Sequence, residues 1–142
     1  MIGTSEKERR RRLFQAHIDA ENDHDLDAIM ATFAERAENS FNTSLFFGYR
    51  EIAAAHVGIG FSDFPGAFED LRSETESIYY TEREIVAVAR LRGRFVRQLG
   101  VLYPPTGEEV ELLGLAAYRF DDQDKLAHER VVMDFGPLAR AV

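Results

Sequence analysis

The stretch AHERVVMDFG, residues 127–136, carries His128, Glu129, Arg130 and Asp134 among Val, Met and Phe. Successive side chains of a strand alternate between its faces, so His128, Arg130, Val132 and Asp134 fall on one face, and Glu129, Val131 and Met133 on the other. Asp134 stands between Met133 and Phe135. A carboxylate is costly to bury there without a partner, so Asp134 is either a turn residue in water or a group held for chemistry. Arg130 shares its face and is placed to pair with it, which would favour a binding or structural role.

Other residue types able to do chemistry are scattered along the chain. His17 falls on the apolar side of a helical pattern, where the plain reading is a satisfied core histidine and the functional one an acid–base group. Tyr118 shares a strand face with Gly114, Ala116 and Phe120; it is a core aromatic or a hydroxyl donor to a carbonyl. Asn39 and Asn42 lie in a turn-rich segment, and both can serve simply to shape the turn. His56, in AAAHVG, faces solvent or a cavity mouth. His24 and His128 read as surface residues. The four histidines lack the i, i+4 pairing of a zinc-binding helix, so no metal is assigned.

Elements of a single domain must position these residues. At 142 residues, with 45% hydrophobic and 30% charged composition, the chain is long enough for one core. A net charge of −8 argues against nucleic-acid binding, and the basic run KERRRR at 7–12 reads as a solvated helix start. The absence of cysteine excludes disulfides, thiol catalysis and thiolate metal sites, and fits a reducing compartment. No apolar run approaches the roughly 20 residues of a membrane span, and MIGTSEKERR lacks a signal-peptide core, so the expectation is a soluble cytoplasmic protein without membrane contact.

Ser5 and Glu8 have capping-box spacing, and Leu13, Phe14, His17, Ile18 and Glu21 then recur at helical intervals, predicting a helix over 5–22 with residues 1–6 at a fraying end. Asp25 caps a second helical segment, LDAIMATFAE, at 26–35. The segment ENSFNTSLFFG reads as a loop with a short strand near 41–47, and YREIAAAHVGIGF as a third helix. After the loop SDFPGAF the pattern changes to strands at about 68–81, 83–96, 98–103, 109–120 and 126–135, with DDQDK as the turn of a final hairpin. Helices first and antiparallel strands afterwards define an α+β domain spanning 1–142.

The segments GYREI, FSDFPGAFEDL, YPPTGEEV and RFDDQDKLAHERVVMDFGPLARAV, in this order and spacing, resemble the SnoaL-like polyketide cyclases and ester cyclases, within the superfamily of α+β rolls that includes the nuclear transport factor fold and ketosteroid isomerase. The resemblance covers roughly residues 8–140. It implies three helices on a strongly curved antiparallel sheet enclosing a conical cavity. It also implies a cofactor-free reaction on a hydrophobic carbonyl compound, a cyclisation or isomerisation begun by proton abstraction. Asp134 sits at the position of the family's last-strand acid and would be the general base, with His17, Tyr118 and Asn42 as candidate donors and His56 and Arg130 as further substrate-binding groups. Met133 stands where the cyclases carry Trp, and Tyr118 and Arg119 where they carry His and Arg. The alternatives are a non-catalytic ligand-binding module and an interaction domain. A homodimer through the sheet face is expected, because Leu99, Val101, Leu113 and Leu115 exceed what one layer of helices covers.

Overall fold

A computed structural model describes residues 2–101 and 103–139. Three helices, α1 (Thr4–Asn22), α2 (Leu26–Ala31) and α3 (Gly48–Ile59), are interleaved with strands β1 (Phe33–Phe41), β2 (Ser44–Phe47), β3 (Phe68–Tyr80), β4 (Ile85–Phe95), β5 (Glu109–Phe120) and β6 (Leu126–Met133). A 3₁₀ turn at Gly136–Leu138 follows. The strands form one sheet in the order β2-β1-β6-β5-β4-β3, so the hairpin β5–β6 is central and the ends do not meet. Register shifts within β3–β4, β5–β6 and β1–β6 mark irregularities that let the sheet curl.

One pairing departs from the antiparallel expectation. β1 runs parallel to β6, with Asn39 opposite Glu129 and Ser40 opposite Arg130, which makes the sheet mixed. The helix expected over 26–35 stops at Ala31, and Phe33 begins a strand instead. Thr32 caps the short helix with its hydroxyl on the Ile29 carbonyl at 2.6 Å, while its own carbonyl accepts the Leu126 amide at 2.7 Å. Pairing with β6 therefore overrides the local helical pattern. Among the described residues of the segment 98–103, Leu99 and Tyr103 form one isolated bridge where a strand was expected.

At the N-terminus Gly3 occupies the cap position without a side-chain bond, so the Ser5–Glu8 capping box is not formed. Glu6 pairs with Arg9 and Arg10 at 3.0 and 2.9 Å. Nor is the basic run wholly solvated. Arg10 is buried and donates to the carbonyls of Thr81, Glu82 and Glu84, tying α1 to the β3–β4 turn. Arg9 reaches the β5–β6 turn through Asp124 at 2.7 Å and the Asp121 carbonyl.

The core lies between the helices and the concave side of the sheet. Phe14 and Ile18 of α1, Ile29 and Met30 of α2 and Ile52 of α3 pack with Ile85, Leu91, Leu112 and Leu126. α1 lies across β3, β4 and β5, and α3 across β1 and β2. Five positions of α1, Arg10, Phe14, His17, Ile18 and Glu21, are buried at spacings of three and four. The buried face of this helix therefore carries a histidine and a glutamate along with its apolar residues.

Candidate functional site

The inward face of β6 is the one with the fewer polar residues. Glu129 is buried, and with Val131 and Met133 it lines the cavity under the helices, whereas His128, Arg130, Val132 and Asp134 face away. The alternation expected from the sequence holds, but it turns the other acid inward. Asp134 is exposed just past the end of β6, where its Oδ1 accepts the Gly136 amide at 2.8 Å and caps the following turn. Arg130 is exposed and pairs with Glu84 at 3.2 Å rather than with Asp134. Asn42 is also outside the cavity. It adopts a left-handed backbone, φ 51°, and clamps Met133, accepting its amide at 2.7 Å and donating to its carbonyl at 3.2 Å.

His17, His56 and Tyr118 do come together, around two glutamates, Glu21 and Glu129, to which the sequence pattern assigns no chemical role. His17 Nε2 lies 3.0 Å from Glu129 Oε2 and 3.6 Å from Glu21 Oε2; His56 Nε2 lies 3.3 Å from the same Glu21 oxygen. Asn39 donates to Glu129 Oε1 at 2.5 Å. The Tyr118 ring packs edge-on against His17, with centroids 5.9 Å apart. All of these residues are buried. Glu21 had a visible signal, a glutamate on the apolar side of helix one. Glu129 had one too, since it is the one charged residue in the row Ala127, Glu129, Val131, Met133.

The hydrogen-bond network fixes the histidine tautomers. The Thr32 hydroxyl proton is committed to the Ile29 carbonyl, so the 2.8 Å contact between His17 Nδ1 and Thr32 Oγ1 has the imidazole as donor. His56 Nδ1 donates to the Ile52 carbonyl at 2.8 Å. With each Nδ1 carrying its proton, a neutral ring would turn the Nε2 lone pair towards a carboxylate oxygen. Two acceptors at such distances repel, so a proton or another cation must lie between them.

The charge balance agrees with that geometry. Burial opposes a charge on His17, but Glu21 and Glu129 outweigh it and hold its pKa at about 10. Burial likewise opposes ionisation of Glu21, yet His17 and His56 bring its pKa down to about 2. His56 is raised against its own burial, chiefly by Glu21. Burial, then Glu129 and Glu21, push the Tyr118 phenol well above its ordinary value, so it remains a proton donor at neutral pH. Metal-free, the cluster at neutral pH is a buried set of imidazolium–carboxylate contacts beside a neutral phenol.

This polar cluster forms one end of a cavity of about 320 Å³. Glu21, Asn39, His56, Tyr118 and Glu129 contribute to its wall, and the remainder is largely apolar, with Phe41, Phe46, Ile59, Leu91, Leu99 and Val131. A concave apolar site with a few convergent polar groups, of roughly 300 Å³ or more, is the usual form of a small-molecule site.

Helices packed into the hollow of a bent sheet, with a buried polar cluster at the inner end of the cavity, define a cone-shaped α+β roll. The family model of the SnoaL-like domain matches residues 14–129, and the chain belongs to that family. No curated protein matches the sequence. Among solved structures, a SnoaL-like polyketide cyclase from Jannaschia sp. CCS1 superposes with a TM-score of 0.79 at 15% identity over 94% of both chains. AclR from Streptomyces galilaeus, described as a hydroxylase, gives 0.73 at 21% identity over 91% of both. SalBIII, an epoxide hydrolase/cyclase-like enzyme of pyran ring formation in salinomycin, gives 0.73 at 12% identity, covering 92% of this chain and 95% of its own.

Proposed function

We propose that this SnoaL-like chain is an enzyme that removes a proton from carbon beside the carbonyl of a hydrophobic small molecule, leading to cyclisation or isomerisation of the polyketide type. The observation that carries this is Glu129, a buried carboxylate facing an apolar cavity and held by Asn39 on one oxygen and His17 on the other. A carboxylate has about four lone-pair sites, so these two bonds orient Glu129 and leave acceptor capacity for the substrate proton. In the proposed step Glu129 takes the proton, the electrons of the C–H bond pass into an enolate, and Tyr118 donates a hydrogen bond to its oxygen. His17 stays between Glu129 and Glu21 and balances their charge.

The test is deuterium exchange. Small hydrophobic ketones, among them cyclic diketones and aryl ketones, are incubated with the protein in D₂O, and loss of the α-proton signal is followed by NMR. Wild type is expected to accelerate exchange of at least one class, and Glu129→Gln to lose about a hundredfold or more of that rate. The glutamine oxygen can still accept from the His17 imidazolium, which Glu21 continues to balance, and a flipped Asn39 amide can accept from the glutamine NH₂, so the fold should survive. A second reading, a non-catalytic binding module, draws on the fact that both Glu129 oxygens are already engaged. Saturable ketone binding without exchange in wild type would decide for it.

A further inference from the structure

We propose that His17, Glu21 and His56 form a binding site for a divalent first-row transition-metal ion, in the class of Zn²⁺, Co²⁺ or Fe²⁺. Three donor atoms, His17 Nε2, His56 Nε2 and one Glu21 carboxylate oxygen, lie within 4.8 Å of one another. Two of the separations, 3.6 and 3.3 Å, are close to the roughly 3.0–3.5 Å between adjacent ligands on an ion with bonds of about 2.1 Å. The third separation, between the two imidazole nitrogens, is at most 4.8 Å, and an ion bound by all three donors would draw the two rings together towards roughly 3.5 Å.

Two independent features prepare the donors. Both rings are locked with Nδ1 as donor, His17 to Thr32 and His56 to the Ile52 carbonyl. Fixing one ring nitrogen from outside the site turns the other outward as a lone pair, which is how metal-binding histidines are held. The His17 Nε2 points at Glu129 Oε2, 3.0 Å away, and the His56 Nε2 lies 3.3 Å from Glu21 Oε2. Both contacts require positive charge, and a dication on His17, Glu21 and His56 would supply it once the His17 ring turns from Glu129 towards Glu21, 3.6 Å away. Two imidazoles and a carboxylate favour first-row transition ions over Mg²⁺ or Ca²⁺, which take oxygen donors.

The fold also leaves room for a further ligand. Glu21 and His56 form part of the cavity wall, so an ion there would present its remaining positions to the cavity. Glu129, held by Asn39, would stand beside it. The histidines come from α1 and α3, with 38 residues of sequence between them, and no local motif announces the site.

This inference concerns binding and does not rest on the proton-abstraction reading, so its test uses no turnover. Chelator-treated full-length protein is titrated with Zn²⁺ by calorimetry and, separately, with Co²⁺ by visible spectroscopy. Wild type is expected to bind one ion per chain at micromolar or lower concentration, to melt at higher temperature with Zn²⁺ present, and to give the intense visible bands of Co²⁺ with fewer than six ligands. Glu21→Gln should weaken binding at least tenfold. NMR of Co²⁺-loaded wild type needs no variant: the ring signals of His17 and His56 should be the ones displaced. Absence of stoichiometric binding in wild type, unchanged affinity in a folded Glu21→Gln variant, or displacement of the His24 or His128 rings instead would overturn the site.

Discussion

Two carboxylates five residues apart, Glu129 within β6 and Asp134 just past its end, sit in opposite surroundings, one buried and one exposed, and the difference is one of parity. Glu129 and Asp134 lie on opposite faces of β6; a strand offers no third choice. Parity could be read directly, but deciding which face is inner needed a count of the apolar residues in each row. Ala127, Val131 and Met133 outweigh Val132 alone, and that count points to Glu129. The family resemblance points instead to Asp134, at the place of a last-strand acid. A direct comparison separates the two. Asp134→Asn keeps an oxygen to accept the Gly136 amide and should leave both melting temperature and α-proton exchange close to wild type, within the roughly 0.5 kcal/mol typical of surface changes. Glu129→Gln should abolish exchange. The reverse result, exchange lost in Asp134→Asn and retained in Glu129→Gln, would return the base to Asp134.

At the scale of elements, the site is an agreement between two helices and three strands that share no local pattern. α1 supplies His17 and Glu21, α3 His56, β1 Asn39, β5 Tyr118 and β6 Glu129. The helices were legible because their apolar spacing is regular. β1 was not, since its first residues continue a helical pattern and only pairing with β6 makes them extended. Asn39 was already a candidate amide beside Asn42, but in a segment that reads as loop nothing showed which of the two faces inward to hold Glu129. The helix-borne charges also give this arrangement a pH signature in the metal-free protein. His17 and His56 have folded pKa values raised above 6.5, so above that pH the unfolded chain releases protons that the fold retains. Their stabilisation is complete below pH 6.5 and is lost as pH rises, for His17 towards about 10. Glu21 is depressed to about 2, so its contribution is complete above pH 4.5 and is lost on acidification below it. With chelator present, melting temperatures should therefore be highest at about pH 4.5–6.5 and decline in both directions. The alkaline decline should be shallower in Glu129→Gln, which removes one of the charges that raise His17. A wild-type melting temperature that climbs from pH 6.5 to 9 would contradict the buried imidazolium assignment.

The whole molecule presents one surface that the helices do not reach. On the convex side of the sheet Leu115, 49% exposed, stands opposite Val132, 64% exposed, in the central β5–β6 register, and Leu113 lies two residues along the same strand face, also exposed. Of the residues from which self-association was expected, Leu113 and Leu115 lie here, whereas Leu99 is partly buried at the cavity wall and Val101 belongs to the segment around the isolated bridge. An apolar stripe at the middle of an open sheet is where a second copy would bury the most area, and a two-fold pairing would set each stripe against its equivalent. The helices pack on the opposite side of the sheet, so such pairing would not displace them. Light scattering at micromolar concentration should therefore report about twice the 16.1 kDa chain mass. Leu115→Arg should shift the protein to monomer with its helices unaltered, because Leu115 is half exposed and outside the buried core. Wild type that scatters as a monomer, or a Leu115→Arg variant that remains a dimer, would refute pairing through this face.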